Sequence, residues 1–144
     1  MTFNQIITIA GKPGLYEILT QNKSALIVQS LTDKKRFQVT AAHNINTLQD
    51  IAIYTYDEDI PLRQVFLSIF NKEKGKTSIS PKSQSGLLNT YFREILPEYD
   101  EERVYTSNIK KVISWYNLLV ANDFNFKDLE ETEDNIKTDD SKKE

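Results

Sequence analysis

The apolar residues of this chain change their spacing once, near Pro61, and that change limits the folds open to it. Before Pro61 they fall in short runs or alternations: Ile6 to Ile9, Leu15 to Thr20, Ala25 to Leu31, Arg36 to Thr40 and Ile51 to Tyr56. Such segments suit strands, whose successive side chains point to opposite faces. Beyond Pro61 the spacing becomes three and four. Leu62, Val65, Phe66, Ile69 and Phe70 form one stripe; Leu87, Leu88, Tyr91, Phe92, Ile95 and Leu96 a second; Ile109, Val112, Ile113, Tyr116, Leu119 and Val120 a third. That period is helical. The last stripe, within Thr106 to Val120, is the strongest, and Trp115 and Leu118 widen it enough to be covered on more than one side.

The punctuation agrees. Pro61 suits a first helical turn, and Pro97 stops the second helix because it cannot continue the hydrogen bonding. Thr106 or Ser107 can cap the third helix at its start, and Asn122 can end it. Pro13-Gly14, within Gly11-Lys12-Pro13-Gly14, fits the centre of a type II turn between the first two strands. Residues 41 to 49 read as irregular, Thr77 to Pro81 as a short extended piece, and Asp100 to Val104 as one helical turn. Five short strands joined by tight turns predict a small curled antiparallel sheet. An SH3-like barrel fits better than an OB-like one, whose strands are longer, because closure removes exposed edges. The expected fold class is α+β: an SH3-like barrel over residues 1–58, a three-helix region over 59–126 and a disordered acidic tail over 127–144. Each half is small for a core of its own, so the halves should pack together or the chain should form a homodimer.

Charge and composition narrow the function classes. Residues 127 to 144 hold eight acids and four lysines, net −4, so the other thirteen acids and fourteen bases of this net −3 chain sum to +1. A nearly neutral body offers little phosphate attraction. There is no cysteine among the 144 residues, which excludes disulfides and thiolate metal sites. No apolar run approaches the roughly 20 residues that span a bilayer, and the start lacks the basic segment of a signal peptide. These features point to a soluble, cytoplasmic protein with no membrane partner.

Few residues carry chemistry. Gly11 to Gly14 lacks the spacing of a phosphate loop and joins strand to strand. His43 is the only histidine, so it has no second imidazole or thiolate with which to share a metal. Asp57-Glu58-Asp59 and the run Glu98, Asp100, Glu101, Glu102 each precede a helix, where the backbone NH groups favour acids. Neither has the glycine and twelve-residue ligand order of an EF-hand loop. No cofactor, metal or catalytic group is implied. The binding residues expected at the barrel rim are Lys12, Lys34, Lys35, Arg36 and Tyr54, with Lys23, Tyr16 and Tyr56 nearby. Lys110 and Lys111 are the only bases of the last helix, too few for a DNA-reading helix.

Four segments together resemble a family of small uncharacterised proteins of Bacteroidota: ITIAGKPGLYEIL at 7–19, ALIVQSL followed by KKRFQV at 25–39, LQDIAIYTYDEDIPLRQVF at 48–66, and LPEYDEERVYTSNIKKVISWYNLL at 96–119. The resemblance implies a bacterial cytoplasmic protein with a small N-terminal β module and a helical C-terminal part. It brings no activity and no catalytic residues. The favoured expectation is a non-enzymatic interaction or adaptor protein that binds a protein or polyanion at the rim. The alternatives are a nucleic-acid or ribosome-associated accessory factor using the same rim, and an enzyme with a site at the junction of the halves built from Asp57, Asp59 and His43.

Overall fold

The N-terminal strands form because their alternation lets each bury residues on two different apolar surfaces. In the computed structural model, which describes residues 2–40, 44–127 and 129, β1 (Ile6–Ile9), β2 (Lys12–Gln21), β3 (Ala25–Ser30), β4 (Arg36–Thr40) and β5 (Ile45–Thr47) form one antiparallel sheet in the order β4-β3-β2-β1-β5. One face, with Ile6, Leu15 and Leu31, joins the helices in the larger core. The opposite face gathers Ile7, Ile9, Tyr16, Val28 and Val39 into a smaller cluster of its own, with Ile18, Leu26, Phe37 and Ile45 packed against it. Tyr16 and Phe37 meet edge to face at 5.5 Å, and the Tyr16 hydroxyl donates to the Pro13 carbonyl at 2.9 Å.

The sheet is not closed, which corrects the expected SH3-like barrel. The edge strands β4 and β5 do not pair, and an open cleft of about 680 Å³, lined by Leu26, Val39, Thr40, Ile45 and Asn46, stands between them. The physical reason is that the helices cover the outer face, so closure is not needed to build a core. The free edge is blunted by charge: Lys35 and Arg36 are exposed along β4, a common defence against edge-to-edge pairing. The fifth strand also differs from expectation. Ile45–Thr47, in the stretch read as irregular, pairs with β1 as Ile7↔Thr47 and Ile9↔Ile45. The segment Ile51 to Tyr56 instead gives β6 (Ala52–Tyr54), which pairs only with β7 (Asp59–Pro61). The first turn also moves. Ile9 pairs with Lys12, so Ala10 and Gly11 make the turn, and Gly11 takes its positive φ of 83°. Pro13 and Gly14 are absorbed by a register shift within β2.

The helices run α1 (Leu62–Glu73), α2 (Ser85–Ile95) and α3 (Thr106–Ala121). Their stripes bury Phe66, Phe92 and Tyr116 completely. Tyr105, not Thr106 or Ser107, occupies the cap position of α3; its NH donates to the Asn108 side-chain oxygen at 2.9 Å, while the Thr106 hydroxyl donates to Asn89 on α2 at 3.3 Å. The Tyr116 hydroxyl donates to the Lys76 carbonyl at 2.8 Å. Asn117 accepts from the Ser78 NH at 2.7 Å and donates to the Ile79 carbonyl at 3.2 Å. These two α3 residues hold the α1–α2 connection in place.

One core serves both halves. Phe3, Leu48 and Ile53 lie in the same cluster as the helical stripes. Phe3 contacts Phe66 and Phe124 at 5.9 and 6.1 Å between ring centres. At the end of α3, Asn122 donates to the Leu31 carbonyl at 3.2 Å and to the Leu118 carbonyl at 2.8 Å, and accepts from the Lys34 ammonium. Phe126 and Leu129 are buried in that core. The rest of the expected acidic tail, Asp128 and residues 130–144, lies outside the described residues, as does His43. Among the described residues no helix is long and apolar enough to cross a membrane.

Candidate functional site: a lysine-lined groove beside Trp115

The core-facing stripe of α3 leaves Lys110, Lys111, Ser114 and Trp115 on another side of the helix. Residues 111 and 115 are four apart and therefore neighbours on the helix surface. Along this side runs the β1–β2 hairpin, brought close because Gly14 has no side chain. Its φ is +85°, and a Cβ there would lie 3.3 Å from the Thr32 hydroxyl and 4.0 Å from Leu118. Pro81 and Lys82, from the α1–α2 connection, also line the space between. The result is a groove of about 760 Å³ whose basic residues are Lys12, Lys82, Lys110 and Lys111.

At one end the groove meets a smaller socket of about 170 Å³, lined by Ile51, Ile53, Tyr54, Val104, Val112 and Trp115, with Lys111 shared between the two spaces. That volume is close to the roughly 150 Å³ of an engineered apolar cavity that takes up benzene. It suits one apolar side chain. Arg103 stands at its edge, 4.4 Å above the Tyr54 ring and hydrogen-bonded to Asp100 at 2.8 Å. That hydrogen bond holds the Asp100 carboxyl below the usual carboxylate range.

Among the described residues no carboxylate lines either space, and none pairs with the four groove lysines. The acids gather outside the socket instead. Thr55 bridges to Tyr99, the Asp100 NH donates to the Tyr54 carbonyl, and the Tyr56 NH donates to the Glu98 carbonyl, so residues 57–59 and 98–102 come together beside it. The Thr55 hydroxyl accepts from the NH groups of Asp57 and Glu58 and organises that turn, with its three acids exposed.

The five expected binding residues are thus divided. Lys12 and Tyr54 line the connected groove and socket, and the Lys12 ammonium also sits 5.0 Å above Phe37. Lys34 is drawn to Asn122 at the far end of α3, with φ at +65°. Lys35 and Arg36 decorate the β4 edge. Tyr16 is buried and offers no ring for stacking. Lys82, Arg103, Lys110, Lys111 and Trp115 also line these spaces and were not among the expected binding residues. The Lys111–Trp115 spacing was the available signal. Asp57 and Asp59 are exposed in the acidic turn, and Asp59 adds to the negative field, led by the Asp100 hydrogen bond, that raises the Arg103 pKa.

Fold and site together define an α+β protein in which an open antiparallel sheet and three helices share one core. The chain belongs to a family of small uncharacterised Bacteroidota proteins with an N-terminal β module and C-terminal helices. Residues 3–48 match a domain of unknown function, DUF5606, and residues 51–119 match a second, DUF6852. The two matches meet at the 3-10 turn Leu48–Asp50. A solution NMR structure of a protein from Bacteroides vulgatus is 42% identical, covers 86% of this chain and 89% of its own, and superposes with a TM-score of 0.69. No curated protein matches the chain.

Proposed function

We propose that this chain is a non-enzymatic interaction protein, acting in the cytoplasm, whose groove and socket receive an acidic protein segment bearing one apolar side chain. The observation that carries this is one groove lined by Lys12, Lys82, Lys110 and Lys111, which pair with no carboxylate among the described residues, and an apolar socket that shares Lys111 and Trp115 with it. The lysines would take carboxylates, while the socket supplies the buried contact that makes binding specific.

Nucleic acid is the second reading, because lysines beside Trp115 and Tyr54 can follow a phosphate backbone and stack bases. The acids at 57–59 and 98–102 weigh against it. A long polyanion leaving the groove past the socket would run into them, whereas a short segment would not.

The test is titration of the full chain, followed by emission of Trp115, its only tryptophan, with a synthetic heptapeptide of Asp and Glu around one leucine, and separately with a twelve-nucleotide single-stranded DNA. Saturable binding of the peptide, lost in a Lys110→Glu/Lys111→Glu variant, is expected. Binding of the DNA alone, with log affinity falling by about 0.7 per phosphate contact for each tenfold rise in salt, would replace the peptide reading. No saturable change with either probe would end both.

A further inference from the structure

The chain carries a segment with the chemistry this groove would accept. Residues 130–144 lie outside the described residues and hold seven acids and three lysines. Ile136 is their only strongly apolar residue. Glu133 and Asp134 precede it, and Asp139 and Asp140 follow it. That is one apolar side chain between two pairs of carboxylates, facing a site of one apolar socket beside four lysines.

Resting on the reading of the groove given above, we propose that residues 133–140 fold back on the same molecule, with Ile136 in the socket and the flanking acids on Lys12, Lys82, Lys110 and Lys111. The segment is an internal competitor, so an external partner binds only by displacing it.

Reach permits this. The last described residue, Leu129, is buried in the core. Seven extended residues from Leu129 to Ile136 span up to about 25 Å. The whole of α3, whose Lys110, Lys111, Ser114 and Trp115 line the groove, is about 24 Å long at 1.5 Å per residue. Charge also favours it: the tail carries the surplus negative charge of a chain whose body is nearly neutral. Tethering supplies an effective concentration on the order of 1 mM. A segment whose free-peptide Kd is on the order of 0.1 mM would then occupy the groove about ten times out of eleven, and weaken an external ligand about tenfold.

Two measurements on the full-length chain test it. The chain has no cysteine, so a nitroxide on Thr138→Cys labels one site. At low salt the label should broaden the amide signals of Lys110, Lys111, Ser114 and Gly11 selectively. The broadening should vanish in the Lys110→Glu/Lys111→Glu background and in an Ile136→Asp background. In the second measurement, Glu133→Gln/Asp134→Asn/Asp139→Asn/Asp140→Asn should tighten binding of the heptapeptide about tenfold. If the peptide binds but this variant leaves its affinity unchanged, and broadening is absent or centred elsewhere, the internal competitor is refuted and the groove reading stands. If broadening appears only on mixing labelled with unlabelled chains, the contact is between molecules and the proposal fails as stated. If the tail variant shows no peptide binding at all, the groove reading falls and takes the competitor with it.

Discussion

Asn122 makes a severe test of how the two halves are joined. Its side-chain NH2 donates to the Leu31 carbonyl on the sheet and to the Leu118 carbonyl in the last turn of α3, while its oxygen accepts from Lys34. Leu31 is 4% exposed, so its carbonyl has little access to water once Asn122 is gone. Two hydrogen bonds at about 1 kcal/mol each, with part of the cost of leaving a buried acceptor unpaired, give about 2–3 kcal/mol for Asn122→Ala. At roughly 2–4 °C per kcal/mol for a chain of this size, the melting temperature should fall by about 4–12 °C. Asn122→Asp sharpens the test. It keeps the acceptor for Lys34 but loses both donors, and it places a negative charge at the negative end of a helix. If the two donors matter, Asp should be as damaging as Ala or more so at pH 7. If the Lys34 contact matters most, Asp should be nearly neutral. Urea unfolding followed by Trp115 emission measures both variants. An Asn122→Ala loss under about 0.5 kcal/mol would show that the helix end and the sheet are held together by something else.

Three further outcomes are expected. Gly14→Ala should cost about 1–2 kcal/mol for the positive φ, plus the push against Thr32. Gly11→Ala shares the backbone strain but meets nothing within 4 Å, so it should cost less; equal losses in urea melts would refute the close approach at Gly14. Burial pushes the Tyr116 hydroxyl up to about 12 from an ordinary 10.0, and burial with the Glu73 carboxylate pushes Tyr91 up as well. Between those pH values the folded chain keeps protons that the unfolded chain has lost. Stability should therefore be intact below pH 10 and fall as pH rises, by about 2–3 kcal/mol for Tyr116. Tyr116→Phe should cost about 1 kcal/mol at pH 7 for the lost bond to Lys76 and flatten that alkaline decline; an unchanged slope would count against the assignment. Leu48→Ala, at a fully buried position shared by both halves, should cost about 2–5 kcal/mol and lower one single unfolding transition. Two separated transitions would show that the halves unfold independently.

The helices were the legible part, because each is fixed by a stripe read along one stretch of chain. The third runs Thr106–Ala121 against an expected Thr106 to Val120, and the second ends at Ile95, just ahead of the Pro97 stop. β5 was hidden because its three residues hold almost no pattern; Ile45–Thr47 becomes a strand only where β1 lies alongside it. Pro13-Gly14 misled because its chemistry suits a turn, while the register with β1 puts the turn at Ala10 and Gly11. The groove was less legible still. Lys12, Lys82 and Lys111 sit on three separate segments, and no spacing in the chain brings them together. Tyr54 and Lys12, expected at a barrel rim for their chemistry, line the socket and the groove. Lys34, Lys35 and Arg36 share that chemistry but serve a helix end and a strand edge.

Phe3 rests on Phe124 as well as Phe66. Two rings 121 positions apart in the chain therefore meet in one cluster. While α3 is still inside the exit tunnel, the surface around Ile6, Leu15 and Leu31 has no cover, and the nascent chain exposes it to solvent and to chaperones. That joint is sealed only when the segment through Phe126 has emerged and packs from the opposite end.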